Sequence, residues 1–313
     1  MSENVLLTGA TGFLGTELAT RLVLLPNVKV YALVRSADAG EAYHRLRAAW
    51  HHDNALSAAI GERAIAVPGD FTLPHLGLSK ENHIKLQELI NLVIHAGAEI
   101  GFQKSQQELA ATNIQGTENM LSFAAGLAHL RRFVYISTAY VSGTQKGTIR
   151  ERETEGSSFS NHYEKSKACA ESLVRASSLP FVICRPGMIV GDSQTGWAKN
   201  FNTVYYVLKL MLLGKLRLLP ISASTALNIV PGDYVADAAI QISFAKDTDG
   251  QTFHLTCPKA AAPTAGELAA YVRAWAKTNL SLHLSKPLFL PLPLLRYLGI
   301  WYNKKAWLKK REG

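Results

Sequence analysis

A glycine-spaced turn near the start of the chain is the feature that most constrains its fold. In VLLTGATGFLG, residues 5–15, a short apolar strand leads into Gly9, Gly12 and Gly15, and a helical pattern follows from Phe13. Gly9 lets the chain leave the strand in a tight turn, Gly12 lets an anion approach the backbone, and Gly15 lets the helix pack closely. The free N–H groups at the helix start favour a pyrophosphate. The turn therefore predicts a dinucleotide site rather than a glycine-rich loop without a ligand.

Strands alternate with helical stretches after this turn, which predicts an α/β fold with a doubly wound parallel sheet of the Rossmann type. Ligands of such sheets bind beyond the carboxyl ends of the strands. Gly9, Arg35, Asp70, Ala96 and Thr138 each follow a different predicted strand. Because five separate strands bring them to one edge, together they indicate a site more strongly than any single motif does.

The residue after the second strand bears on which nucleotide is bound. Arg35 follows strand 28–34, where the adenosine ribose lies in a dinucleotide fold. An acidic residue there would bind the 2′-hydroxyl of NAD, whereas an arginine suits the 2′-phosphate of NADP. Arg35 therefore favours NADP(H). Arg45 either reaches the same phosphate or is a solvated helix charge, and Asp70 either lies at the adenine edge or caps a turn.

A tyrosine and a lysine four residues apart are the candidate acid/base pair. Tyr163 and Lys167 share one face of a predicted helix at 161–177. An ammonium beside a phenol lowers the phenol pKa from its usual value of about 10, which would let Tyr163 transfer protons near neutral pH. Thr138, after strand 133–137, would hydrogen-bond a carbonyl oxygen that becomes negative on hydride addition. These three residues are the predicted catalytic set.

Composition narrows the partners and the compartment. The 313 residues are 48% hydrophobic and 18% charged, with a net charge of +9, which suits anionic partners such as nucleotides, CoA esters, carrier proteins or membrane surfaces. Without helix-turn-helix, zinc-finger or Arg-rich patterns, we expect no nucleic-acid partner and no metal site. Three scattered cysteines and a strand at the very start favour a cytoplasmic protein without a signal peptide, or one peripheral to a membrane.

Turn signals divide the sequence into two parts. We predict an NADP-binding Rossmann domain at 1–195, rejoined by about 226–258, and a substrate lobe at 196–225 and 259–313. An apolar helix at 200–213 is either core or a wall for an acyl chain. The apolar stretch 287–301 and the basic tail after it are too interrupted to span a bilayer. They either pack in the lobe or contact a membrane surface or a partner domain.

Several stretches resemble the extended short-chain dehydrogenase/reductases. These are TGATGFLG at 8–15, Asn113, STAYV at 137–141, and Tyr163 with Ser166-Lys167. Others are similar to the thioester-reductase and fatty acyl-CoA reductase branch, the male-sterility family, and they lie at 33–35, 69–72, 76–78, 93–96, 112–117, 185–187 and 191–193. The resemblance covers about residues 4–245. The sequence departs from the usual pattern of this family at Gly97, where a second alanine is frequent. We expect no functional cost, because the position needs only a small residue.

The resemblance implies a role for each matching position. Tyr163 would be the acid/base, Lys167 its partner and a ribose ligand, Thr138 the oxyanion donor, and Asn113 a support for the lysine. The nucleotide set is Thr8, Gly9, Thr11, Gly12, Phe13, Leu14, Gly15, Arg35, Arg45, Asp70, Phe71, Ala96, Gly97, Asn113, Tyr163, Lys167, Pro186 and Gly187. His95 is expected to be structural rather than catalytic.

The resemblance also implies an activity, which is NADPH-dependent reduction of an acyl-CoA or acyl-carrier-protein thioester to an aldehyde, with the alcohol as a further product. The alternatives are a reductase or epimerase of sugar nucleotides or steroid-like carbonyls on the same scaffold, and a nucleotide-binding sensor. Arg35 and the Leu-rich lobe argue against the first, and the Tyr163/Lys167 pair argues against the second. Pairing of two chains through the helices of Asn113 and Tyr163 would give a homodimer.

Overall fold

Strands and helices alternate through the residues that the computed structural model describes, which are 3–101, 104–154, 158–199, 201 and 204–291. The strands are β1 (Glu3–Thr8), β2 (Val28–Val34), β3 (Ala64–Pro68), β4 (Leu92–His95), β5 (Arg132–Ile136), β6 (Phe181–Pro186), β7 (Met188–Val190), β8 (Leu218–Leu219), β9 (Ile229–Pro231), β10 (Gln251–Leu255) and β11 (Leu288–Phe289). The helices are α1 (Phe13–Leu24), α2 (Ala39–Trp50), α3 (Asn54–Ala59), α4 (Lys80–Leu89), α5 (Gln106–Leu109), α6 (Gly116–Ala125), α7 (His162–Ala176), α8 (Val204–Leu212), α9 (Gly232–Phe244) and α10 (Ala265–Leu280).

Seven of these strands form one parallel sheet in the order β10-β6-β5-β4-β1-β2-β3. The chain builds outward from β1 to β3 and then returns to the other side of β1 with β4. The strand order therefore reverses between β1 and β4, which is where such sheets open a crevice at their carboxyl ends. The predicted doubly wound, Rossmann-type sheet is confirmed.

The central strands are buried on both faces. Every residue of β4 and β5 is buried, as expected when helices cover both sides of a parallel sheet. Leu6, Val93, Phe133 and Ile183 come from β1, β4, β5 and β6 and share one core cluster with Phe123 of α6. Each such side chain contributes roughly 1.5–3 kcal/mol by leaving water. This core fixes the strand ends on which the candidate site depends.

The helical stretch between β4 and β5 differs from the single helix that the sequence predicts at 105–128. Here α5 and α6 are joined by a π-helical turn at Ala110–Gln115. Ser105 and Glu108 cap the start of α5 reciprocally, in a capping box. A π turn inserts an extra residue into the helix, and such turns often occur at functional sites. The turn contains Asn113, one of the predicted site residues.

The described residues divide into two compact units. The first lies within 1–199 and 230–256, and the second lies within 200–229 and 257–313. In the second unit, Met211 of α8 packs against Ala269 and Val272 of α10, and β8 pairs in parallel with β11. That this unit binds the substrate stays a prediction.

The predicted membrane or partner contact of the tail falls largely outside the described residues, which end at position 291. Within the part of the chain that the structure describes, none of the helices combines the length and the apolar character needed to cross a bilayer.

Candidate active site

The glycine turn between β1 and α1 has the geometry that a close backbone approach requires. Gly9 has φ +70°, and a Cβ there would lie 2.8 Å from the carbonyl oxygen of Ala96. A Cβ on Gly15 would lie 2.0 Å from the Gly9 oxygen, so α1 can start this close to the strand only with glycine at that position. The Gly12 N–H donates to the same oxygen at 2.8 Å and closes the turn.

The start of α1 is left free to bind an anion. Gly12 is the N-cap residue and provides no side-chain hydrogen bond to the helix, and the first turn contains no acidic residue. The N–H groups of the first turn and the positive end of the helix dipole therefore lack the protein acceptor that a Ser, Thr or Asp cap would supply. With Gly12 and its missing Cβ, the turn fits a pyrophosphate.

A hydrogen-bonded histidine holds the neighbouring strand end in place. The Gly97 N–H donates to the Thr8 hydroxyl at 2.9 Å, and that hydroxyl lies 2.7 Å from Nδ1 of His95. On the other side of the ring, Nε2 lies 3.3 Å from the Thr117 hydroxyl. Burial lowers the pKa of His95 to about 3, so the ring is neutral. These contacts suit the structural role that the sequence predicts for His95.

Phe71 packs over the same strand end. A Cβ on Gly97 would lie 2.7 Å from its ring, and a Cβ on Gly116 would lie 2.6 Å from it. Phe71 also meets the His95 ring edge-on, with 5.2 Å between the ring centres. An alanine at position 97 would therefore require the Phe71 ring to shift, so the packing favours a very small residue there.

Two arginines lie where the adenosine part of a dinucleotide is expected, and they differ in whether they form an ion pair. Arg35 is exposed directly after β2 and makes no ion pair with any of the residues described. Arg45 pairs with Glu41 at 3.6 Å on the exposed side of α2. Asp70 caps its own turn, because its Oδ1 accepts from the N–H and the hydroxyl of Thr72 at 2.9 and 2.7 Å. Arg35 is thus the arginine that is free to meet a phosphate.

Thr138 and Tyr163 are brought together at the end of β5. Asn161 caps α7 by accepting the Glu164 N–H, which places Tyr163 in the first turn of the helix. Thr138 lies close enough to Tyr163 to lower the tyrosine pKa as a hydrogen-bonding neighbour, and its hydroxyl accepts the Tyr140 N–H at 3.3 Å. Burial raises the pKa of Tyr163 to about 12, against the weaker effect of the Thr138 hydrogen bond. Tyr163 is therefore protonated at neutral pH.

Lys167 lies on the same helix as Tyr163, but its ammonium group binds to the end of β5. Its Nζ donates to the Ile136 carbonyl oxygen at 2.8 Å and lies 4.2 Å from the centre of the Tyr135 ring. Burial lowers the pKa of Lys167 to about 7, and the Glu171 carboxylate opposes that shift. The expectation that Lys167 lowers the pKa of Tyr163 is wrong for this arrangement, since burial outweighs any effect of the ammonium on the phenol.

Asn113 clamps the loop after β4 to α7. Its amide oxygen accepts the Glu99 N–H at 2.8 Å, and its amide nitrogen donates to the Glu99 carbonyl at 3.0 Å and to the Ser166 hydroxyl at 2.9 Å. Ser166 is the residue before Lys167. Asn113 thus supports the helix of the candidate acid/base pair through Ser166.

The sequence predicts a strand at 181–184, which is two residues shorter than β6. β6 continues through Pro186 because it pairs with β10, and the Gly187 N–H donates to the Leu255 oxygen at 3.0 Å. Arg185 is fully buried and makes two hydrogen bonds to Glu171 of α7, at 2.9 and 2.6 Å. Sequence reasoning missed this pair, because nothing local marks Glu171 as its partner.

The structure thus brings most of the predicted residues to one edge of the sheet. Because the strands run in the order β5-β4-β1-β2-β3, Thr138, Ala96, Gly9, Arg35 and Asp70 follow one another along that edge. A nucleotide laid across it would meet the acid/base pair at one end and Arg35 at the other. Lys199, which donates to the Thr11 carbonyl at 2.5 Å, also lies here and was not among the predicted residues.

Known proteins that are similar to this chain include a synthetase and a reductase. A non-canonical nonribosomal peptide synthetase from Aspergillus campestris is 30% identical over 80% of this chain. The fatty acyl-CoA reductase wat from Drosophila melanogaster is 25% identical over 76% of it. The chain spans only 25% of the synthetase and 53% of the reductase.

A solved structure extends the likeness to almost the whole chain. The terminal R domain from the myxalamid PKS-NRPS biosynthetic pathway is 30% identical, with a TM-score of 0.80, and the match covers 99% of this chain and 77% of that one. These likenesses support an oxidoreductase of the reductase type that uses a nicotinamide cofactor. The model of the NAD-binding family described as male sterility protein matches residues 7–239. Because this match covers well over half of the sequence, the chain belongs to the NAD-binding family of male sterility proteins.

Proposed function

We propose that this chain is an NADPH-dependent reductase of acyl thioesters, carried by CoA or by a carrier protein, with an aldehyde as the first product. The observation that carries the proposal is the position of the buried Tyr163 beside Thr138 at the end of β5, along the same sheet edge as the glycine turn. The synthetase, reductase and R-domain relatives support a thioester as substrate. Arg35 is exposed and makes no ion pair within the described part of the chain, which supports NADPH as cofactor.

The acid/base role follows from the protonation state of Tyr163. When bound, a reduced nicotinamide supplies a hydride to the thioester carbonyl carbon. Tyr163 is protonated at neutral pH and donates its proton to the carbonyl oxygen as the C=O π bond breaks. Thr138, whose oxygen accepts the Tyr140 N–H, has its own proton left to stabilise the negative charge on the tyrosine oxygen.

The next step is the collapse of the thiohemiacetal, which needs a proton transfer and no further hydride. The thiohemiacetal formed in this way loses its hydroxyl proton to the Tyr163 oxygen, and the C–S bond breaks as the carbonyl re-forms. The sulfur leaves as a thiolate that takes a proton from solvent, so the products are an aldehyde and a thiol. Lys167 has a pKa of about 7, and it can orient a ribose hydroxyl as a donor in either protonation state. With a second NADPH bound in place of the oxidised nucleotide, Tyr163 would protonate the aldehyde oxygen as a second hydride is added, which would give the alcohol.

The test is nucleotide oxidation against a panel of substrates with the products identified by mass spectrometry. Acyl-CoAs of increasing length, acylated carrier proteins and a UDP-sugar are each offered with NADPH and with NADH. We expect aldehyde and free thiol to appear only with thioesters. Turnover of the UDP-sugar with no turnover of any thioester would instead favour the epimerase or reductase alternative.

The NADPH preference has its own test at Arg35. We expect Arg35→Ala to weaken NADPH binding about 10- to 100-fold, the usual range for a lost charge-assisted hydrogen bond, and to leave NADH binding within about twofold. Arg47→Ala removes the same charge from the exposed side of the neighbouring helix and should change neither affinity. Titration calorimetry measures the dissociation constants of both variants for NADPH and NADH. An equal loss for both nucleotides would contradict the role of Arg35.

A further inference from the structure

A lysine far along the chain reaches into the glycine turn. Nζ of Lys199 donates to the carbonyl oxygen of Thr11 at 2.5 Å. Thr11 lies between Gly9 and Gly12, so the ammonium is held at the turn itself. Nothing in the sequence near Lys199 indicates this contact, because 188 positions separate the two residues.

The charge of Lys199 has no counter-ion among the described residues. The side chain is half-buried, and burial lowers its pKa from the usual value. Its hydrogen-bond partner is a neutral carbonyl, and no carboxylate of the described chain lies within ion-pair distance. A partly buried ammonium without a paired anion is unfavourable. An ammonium also has three N–H donors, of which Thr11 occupies one.

The segment that ends in Lys199 is fixed in place over the turn. Asp192 accepts the N–H groups of Gln194 and Thr195 at 3.0 and 2.7 Å. The Ser193 N–H donates to the Asp233 carboxylate at 3.0 Å. The position of Lys199 is therefore set by its own segment before any ligand binds, which limits the entropy that binding would cost.

Aromatic contacts hold the same segment against the start of α1. The Trp197 ring stacks on His52, with 3.8 Å between the ring centres and 11° between the planes. Its other neighbour is Phe13, the first residue of α1, at 5.4 Å. Two residues before Lys199, the chain is thus packed on the helix whose N-terminus faces the turn.

We propose that Lys199 is a pyrophosphate-binding residue, which supplies the cationic hydrogen bonds that the uncapped glycine turn lacks. This inference rests on the nucleotide site of the proposed function and adds a ligand from outside the glycine motif. The backbone N–H groups of the turn and the ammonium then bind the diphosphate from two directions. The diphosphate supplies the counter-charge that the described chain does not provide.

The test measures nucleotide binding alone, by calorimetry, with NADP⁺, NAD⁺ and adenosine 2′-phosphate. Lys199→Gln keeps a donor and removes the charge. We expect NADP⁺ and NAD⁺ to bind about 10- to 100-fold more weakly, with an unchanged ratio of the two dissociation constants. Adenosine 2′-phosphate has no pyrophosphate, and its affinity should stay as in the unaltered chain. Arg35→Ala should give the opposite pattern, with weaker binding of NADP⁺ and adenosine 2′-phosphate only.

Two further variants control for folding and for general charge. Lys199→Arg keeps the cation and should restore most of the affinity for both dinucleotides. Lys85→Gln removes an exposed lysine from α4 and should leave every affinity unchanged. Wild-type affinity of Lys199→Gln for both dinucleotides would overturn the proposal, and so would an equal loss for adenosine 2′-phosphate. If the unaltered chain bound both dinucleotides but turned over no thioester, that result would count against the proposed function and leave the role of Lys199 standing.

Discussion

Tyr163→Phe is expected to lower kcat for thioester reduction by roughly 10²–10⁴-fold, the range for losing a general acid. The phenylalanine ring keeps the packing in the first turn of α7 and removes only the hydroxyl group that would donate a proton to the carbonyl oxygen. Nucleotide affinity should change little, because the glycine turn and Arg35 are untouched. The measurement combines single-turnover kinetics of NADPH oxidation with a separate titration of NADP⁺ binding.

A matched control removes the hydroxyl group of a different tyrosine. Tyr31 is a half-buried tyrosine in β2, and burial raises its pKa as it does for Tyr163. Tyr31→Phe should retain nearly the full rate. If Tyr163→Phe also kept the full rate, Tyr163 would not be the proton donor and the mechanism proposed above would be wrong.

The strand ends of the candidate site could be predicted because they depend on local patterns. Each is an apolar run followed by small or polar residues, as at Gly9 after β1 and Ser137-Thr138 after β5. A parallel sheet brings every such end to the same edge, whatever the loops between the strands do. For the same reason the helix containing Tyr163 and Lys167 was predicted within one residue at each end.

Side-chain environments could not be predicted in the same way, because they depend on residues far apart in sequence. Spacing on α7 suggests that Lys167 faces Tyr163, yet the ammonium binds the Ile136 carbonyl, 31 positions away. Burial then dominates both pKa values, which lie at about 12 for Tyr163 and about 7 for Lys167. A sequence pattern gives neither the depth of a side chain nor the carbonyl that it meets.

Arg185→Met is expected to lower the free energy of unfolding by about 3–5 kcal/mol, the range for removing one partner of a buried ion pair. Arg185 is fully buried, and Glu171 is 4% exposed. Without the guanidinium, the nearest cation to the Glu171 carboxylate is Arg175, at 3.7 Å. Urea unfolding at neutral pH measures the change.

A control variant, Arg45→Met, breaks an exposed ion pair of 3.6 Å and should lower the free energy of unfolding by less than about 1 kcal/mol. An equally small effect at Arg185 would contradict the prediction.

A double variant separates the stability of this pair from its effect on the site. Glu171→Leu combined with Arg185→Met replaces both charges by apolar groups, and it should recover most of the lost stability, since such replacements are often neutral. The Glu171 carboxylate also raises the pKa of Lys167. Its removal should move that pKa further below about 7, so that a smaller fraction of Lys167 is charged at neutral pH. We therefore expect a stably folded double variant in which Lys167 titrates at lower pH, measured by NMR of the lysine side chain. A folded variant with an unshifted lysine would show that Glu171 acts on the fold alone.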